Sequence, residues 1–184
     1  RNLSHIAWHR GDQDRALQFV TEMEFVGHRR GLSRVIASAQ LERARQALWR
    51  GETGAAREAL QRAKAATDWS EVASRSLFGN DADTLIEAQL RWMIHSGAAE
   101  DAVAQLKQEL ERAEGARRHR RALKLRILLA LALDRSGNEK AGLRTLRDAL
   151  RFGGTERFVR MFLDEGEPFR ALLQKLSAAG QREP

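Results

Sequence analysis

The 184-residue sequence contains no cysteine and no tyrosine, and only two prolines, Pro168 and Pro184. Without cysteine there is no disulfide framework, no thiol nucleophile and no Cys-ligated metal site. The first 167 residues carry no proline and β-branched runs are scarce, so little interrupts helices and little favours strands. Long apolar stretches are missing too. The longest, Ile127–Leu133, has seven residues, against the roughly 20 that span a bilayer, and no segment reads as a signal peptide. What remains is a chain 42% hydrophobic and 31% charged, apolar enough to build a core. These proportions predict an all-α protein of one domain or one repeat array.

Lysine plus arginine outnumber aspartate plus glutamate by 32 to 25, a net charge of +7. Such an excess raises nucleic acid as a partner. Most of it is arginine, however, spread through the chain, and the nearest thing to a patch is Arg117, Arg118, His119, Arg120 and Arg121. Dispersed arginines are expected to pair on helix surfaces, so direct DNA binding by this chain is not expected. The run itself stands where a helix should begin, the unfavourable end for positive charge. Glu109, Glu111 and Glu114 on the preceding helix are expected to offset it; a docking patch for an acidic partner domain is the alternative.

Internal repetition decides the architecture. Four segments share a helix–Gly turn–helix pattern: IAWHRGDQDRAL, QALWRGETGAAREAL, WMIHSGAAEDAVAQL and ALDRSGNEKAGLRTL. Their turn glycines, Gly11, Gly51, Gly97 and Gly137, are 40, 46 and 40 residues apart. Five residues after each stands a small residue (Ala16, Ala56, Ala102, Gly142), and nine after an aliphatic one (Val20, Leu60, Leu106, Leu146). Glycine ends a helix because it tolerates a left-handed backbone. Asp12, Glu52, Glu100 and Glu139 follow in the next helix's first turn, where the macrodipole favours carboxylates. The small residue admits a close helix approach and the aliphatic one fills the pair's core. Such pairs bury their apolar faces by stacking, so the expected form is a right-handed superhelix of antiparallel helix pairs with a repeat of about 40 residues.

Periodicity places helices near 2–9, 12–28, 32–50, 52–67, 81–96, 98–114, 116–135, 138–152, 155–165 and 168–179, in pairs at about 1–31, 32–67, 81–115 and 116–153. The helix around Leu125–Leu133 is apolar nearly all round and is expected to be the most central. Residues 68–80 break the pattern and predict an irregular insert, a short extra helix plus loop. Residues 154–180 predict a C-terminal cap built on Phe158, Phe162, Phe169, Leu172 and Leu173, with Thr155 capping one helix and Pro168 in the first turn of the next. Both ends read as cut, so residues 1–184 are expected to be a single helical-repeat domain within a longer protein.

These offsets resemble tetratricopeptide-like (TPR-like) repeats, stretched from about 34 residues to about 40. The order RWMIHSGAAEDAVAQLKQELERAE, LLALALDRSGNEKAGLRTLRDAL, ERFVRMFLDEGEPFRALLQKL resembles the superhelical sensor region of MalT-type LuxR regulators, large ATP-binding transcriptional activators. The most specific element is Phe158-Val159-Arg160-Met161-Phe162-Leu163-Asp164-Glu165-Gly166. The likeness is strongest over residues 81–176, continues over 3–67 and is absent over 68–80. It implies a cytoplasmic regulatory segment that receives a small-molecule or protein inducer and relays it to flanking domains. The family's upstream NTPase domain would bind ATP, but no G-x-x-x-x-G-K-[ST] occurs here, so no cofactor is expected in this chain. DNA would be read by a helix-turn-helix domain that this chain also lacks.

In helix-pair superhelices the first helix of each pair lines the concave surface. Positions two, three and six before each turn glycine read His9, Trp8, His5; Trp49, Leu48, Arg45; His95, Ile94, Arg91; and Arg135, Asp134, Leu131. The candidate groove is therefore His5, Trp8, His9, Arg45, Trp49, Arg91, His95 and Arg135, rigid aromatics with anion-pairing cations. A plainer reading has Trp8 and Leu48 packing between repeats and the arginines solvated. His5 and His9 stand at i, i+4, a zinc spacing, but no third ligand accompanies them, and two histidines on an exposed face are expected instead. Asp164 and Glu165 point about 100° apart with no nucleophile nearby, so a helix-terminal role is expected. No enzymatic chemistry and no membrane contact are expected. The alternative function is a free-standing TPR-like protein–protein scaffold.

Overall fold

The computed structural model describes residues 2–70, 84–155 and 158–180. Among these residues there are ten helices and no strand: α1 (Asn2–His9), α2 (Gln13–Arg29), α3 (Ser33–Trp49), α4 (Thr53–Ala66), α5 (Leu85–His95), α6 (Ala99–Gly115), α7 (His119–Arg135), α8 (Glu139–Thr155), α9 (Val159–Leu163) and α10 (Gly166–Gly180). None of them is long and apolar enough to cross a membrane. The fold is all-α and TPR-like, built from antiparallel helices joined by tight turns. The chain divides into two compact units, residues 1–92 and 93–184. Most of the expected insert, from residue 71 on, lies outside the described residues.

The turns carry the repeat. After α1 the amide of Asp12 donates to Ala7 O at 3.0 Å and that of Gly11 to Trp8 O at 2.9 Å, the paired bonds of a Schellman motif. The same pair closes α3 through Glu52 and Gly51, and α7 through Asn138 and Gly137. The residue at the bend has a left-handed backbone, with φ of +82° at Gly11, +78° at Gly51, +94° at Gly97 and +86° at Gly137. Two further turns repeat the bonding between pairs. Gly31 makes one, and Arg117, at φ +54°, makes the other. A side chain there costs about 1 kcal/mol relative to ordinary helical backbone.

The fixed offsets also hold. Ala16, Ala56, Ala102 and Gly142 are all buried, as are Val20, Leu60, Leu106 and Leu146. At Gly142 the approach is close, since a Cβ there would lie 3.0 Å from Ala130 O and 3.1 Å from Asp134 N. Both are backbone atoms of α7, so a side chain at this position would push the two helices apart by a few tenths of an ångström.

In the first unit α3 is buried on several sides. Leu41, Ala44, Ala47 and Leu48 pack on Ala56, Ala59, Leu60 and Ala63 of α4 and Ala88 of α5, with Trp69, Leu85 and Trp92 at the margin. In the second unit α7 is the central helix, buried at Leu123, Leu125 and continuously from Ile127 to Leu133. Helix α10 packs on α7 and α8. Phe162 of α9 and Phe169 of α10 meet with ring centroids 5.6 Å apart, and Leu172 is fully buried. The Lys175 ammonium donates to Asp134 Oδ1 at 2.6 Å. That bond, with Glu139 nearby, holds Lys175 above the ordinary lysine pKa.

Two expected boundaries move. Helix α5 begins at Leu85, not near residue 81, because Thr84 and Glu87 form a reciprocal capping box: Thr84 N donates to Glu87 Oε2 and Glu87 N to Thr84 Oγ1. Thr155 does not cap the next helix but ends α8, so the helix expected over 155–165 shrinks to Val159–Leu163. Gly153 and Gly154 do not break α8, because the Phe162 ring lies where a Cβ of Gly153 would stand, 2.5 Å from its Cε2. Packing on the bare backbone offsets the low helix propensity of glycine.

The C-terminal helices should therefore act as the cover of the α7–α8 core. Phe169→Ala is expected to lower the stability of the chain by about 3–5 kcal/mol, the range for deleting a buried aromatic ring. An unchanged denaturation midpoint would show that α10 contributes no core.

Candidate functional site

The candidate residues divide between the two units. In the first, α1 and α3 bring His5, Trp8, His9 and Trp49 together. The Trp49 ring stands at the centre. Trp8 lies 4.7 Å from it between centroids at 32°, His5 5.6 Å away in an edge contact at 76°, and His9 6.2 Å away at 52°. Such tilted and edge contacts suit aromatic quadrupoles and fix the rings without a face-to-face stack.

Beneath the rings runs a buried polar layer. His5 Nε2 lies 2.7 Å from Glu42 Oε1, with only 1% and 3% of the two side chains exposed. Gln46 donates through Nε2 to Ser4 Oγ at 2.7 Å and to Ala16 O at 3.3 Å. His5 is thus an interior residue held by a carboxylate, not half of an exposed pair, because Glu42 supplies a polar partner inside the unit. His9 is exposed as expected. Among the described residues no group of three or more His, Asp or Glu is placed to hold a metal ion.

Arg45 and Arg91 are buried, 4% and 3% exposed, so neither is the solvated cation of the plainer reading. Six residues before each turn glycine, His5, Arg45, Arg91 and Leu131 are all interior. Position −6 is therefore a packing position in every repeat. Leu48 and Ile94 are buried as well. In the second unit His95 is half-buried and Arg135 exposed.

The tryptophans differ in one chemical respect. Trp69 donates its indole N–H to Ala63 O and Trp92 donates to Thr53 O, both at 3.0 Å. The Trp49 Nε1 atom is buried and has no acceptor among the described residues. A buried N–H left unpaired costs about 1–3 kcal/mol, and an acceptor brought by a ligand would recover that. The cluster can therefore offer an aromatic wall and one hydrogen-bond donor.

Ser4, Glu42 and Gln46 were not among the sequence candidates. Counting back from the turn glycine points to one of them. Glu42 stands where the buried Ala88 and Leu128 stand in other repeats, whereas the position of Gln46 is exposed at Ile6 and half-buried at Trp92. The two histidines provide a test of this register. His5→Ala, which strips a buried contact from Glu42, is expected to cost about 3 kcal/mol of stability. His9→Ala should stay within about 0.5 kcal/mol. Equal effects in urea denaturation would contradict the interior placement of His5.

Comparison with known proteins gives a match to the family model described as the MalT-like TPR region, over residues 1–179. No curated protein and no solved structure matches the chain. A match across nearly the whole sequence, on a fold of turn-linked antiparallel helix pairs, places it: the chain belongs to the MalT-like TPR region family.

Proposed function

We propose that this chain is the regulatory region of a cytoplasmic bacterial LuxR-type transcription regulator. It binds an inducer and couples that binding to flanking domains, and it performs no chemistry of its own. The observation that carries this reading is the family match across residues 1–179. TPR-like helix pairs are recognition and regulatory structures, and their repeat surfaces serve binding. The inducer is a small molecule or a protein segment. ATP belongs to an upstream NTPase domain and DNA to a C-terminal helix-turn-helix domain of the parent protein.

Within this reading the Trp8–Trp49 cluster is the recognition point in the first unit. An anionic or aromatic ligand, or an acidic peptide segment, suits its rings and its unpartnered indole N–H. Arg45 and Arg91 are buried and are not offered to solvent as anion-pairing cations.

Trp49→Phe keeps a ring in place and removes only the indole N–H and part of the aromatic area. In the intact regulator, with a transcriptional reporter, this variant is expected to raise the inducer concentration for half-maximal response about tenfold, the worth of one hydrogen bond of ~1.4 kcal/mol. Maximal output and protein level should be retained. An unchanged half-maximal concentration would move the site away from Trp49. A parent protein without any effect on transcription would favour a TPR-like interaction scaffold instead.

A further inference from the structure

Two aliphatic side chains of α1, Leu3 and Ile6, are 59% and 43% exposed. Single exposed aliphatic residues are ordinary on a protein surface. These two, however, fall on a register. Counted back from Gly11, the exposed residues of α1 are Asn2, Leu3, Ile6 and His9, at positions −9, −8, −5 and −2. Ser4, His5 and Ala7 between them are buried.

The next first helix uses those four positions to seat on the pair before it. In α3 they are Glu42, Arg43, Gln46 and Trp49. Glu42 meets His5 of α1, and Arg43 donates to Thr21 Oγ1 and Glu24 Oε2 of α2 at 3.1 and 2.8 Å. Gln46 donates to Ser4 Oγ of α1 and Ala16 O of α2, and Trp49 packs on Trp8. Helix α5 repeats the arrangement: Ala88, at −9, joins the apolar cluster of α4, and Trp92, at −5, donates to Thr53 O of α4. In the second unit α7 packs on α6, and Leu128, Leu129 and Ala132, at −9, −8 and −5, are buried. Of these helices only α1 leaves the −8 and −5 side chains exposed.

We propose that this face of α1 is the docking surface for the second helix of a further helix pair, carried by the parent chain ahead of residue 1. Continuity of the stack selects the occupant. Ile6 meets the small residue five places after that pair's turn glycine, as Gln46 meets Ala16. Leu3 lies against the residue ten places after it, as Arg43 lies against Thr21. Both side chains are aliphatic, so the face asks for no polar partner, and the apolar stripe of an amphipathic helix covers it. A second copy of the chain does not supply that helix. Its second helices already bear a neighbour: α2 bears α3, α4 bears α5, α6 bears α7 and α8 bears α10. Helix α1 then carries the added helix on Leu3 and Ile6 and the aromatic cluster on His5 and Trp8.

Because the sequence has no cysteine, single introduced thiols report on the face. Ile6→Cys and Leu3→Cys are compared with Glu22→Cys, at an exposed position of α2. Each is alkylated with iodoacetamide in the 184-residue chain and in the chain extended by the roughly 40 residues, one repeat length, that precede it in the parent. In the 184-residue chain all three variants should react alike at every protein concentration. In the extended chain Ile6→Cys and Leu3→Cys should react at least about tenfold more slowly, because thiol reactivity follows exposure, and Glu22→Cys at an unchanged rate. Ile6→Asp should leave the melting temperature of the 184-residue chain nearly unchanged and lower that of the extended chain by several degrees. Equal alkylation rates in the two forms would overturn the docking surface. Protection already present in the 184-residue chain and growing with its concentration would overturn the occupant and make the face a contact between copies. No inducer enters either measurement, so the outcome is separate from that at the recognition point.

Discussion

A left-handed residue just past the end of a helix, closed by an amide bonding back to a carbonyl five residues earlier, sets the geometry of this chain. The bond from Asp12 to Ala7 is repeated from Glu52 to Ala47, Ala98 to Met93 and Asn138 to Leu133. Each one stops a helix at a fixed residue and sends the chain back antiparallel. The residue five positions after the glycine then meets the preceding helix, which is why it is Ala or Gly, and the one nine after fills the space between them. Arg117 shows that the constraint is the backbone conformation and not glycine as such. It adopts the same turn, with φ of +54°, at a modest cost.

That constraint is written in the sequence, so the helix pairs were legible from four glycines and their offsets. The interior of α3 was harder to see. Its segment SRVIASAQLERARQALW looks two-sided, yet Gln40, Glu42, Arg45 and Gln46 are all buried. Amphipathic patterning assigns such residues to water, and it fails where polar groups satisfy one another. Gln40 donates to Glu24 at 2.6 Å, Gln46 to Ser4, and Glu42 faces His5. Those partners lie from 16 to 42 positions away in the chain, beyond any local periodicity. By contrast, the apolar α7 of the second unit was recognisable at once. The boundary errors have local causes of the same kind: a Thr84–Glu87 capping box that went unread, and a phenylalanine ring that keeps Gly153 helical.

The candidate site was legible in part. His5, Trp8, His9 and Trp49 do gather, since residues at equivalent offsets in successive repeats meet on adjacent first helices. The arginines proved interior at Arg45 and Arg91, because six residues before the turn is a core register whatever side chain occupies it. What no pattern in the sequence reveals is that two indoles find backbone acceptors while Trp49 finds none among the described residues. Side-chain hydrogen bonding depends on where carbonyls are left free, at Ala63 and Thr53, and that is settled by tertiary packing.

The donor at Trp49, unpartnered among the described residues, is the feature on which the proposed recognition point turns, and the indole N–H resonances of the free chain report on it directly. The account predicts that the Trp49 indole proton resonates upfield of those of Trp69 and Trp92, as expected for a buried N–H without an acceptor beside two bonded to carbonyls. It should also keep a ring-current shift from Trp8. A Trp49 proton at the downfield, hydrogen-bonded position in the free chain would mean that the protein already satisfies this donor, and would contradict the account.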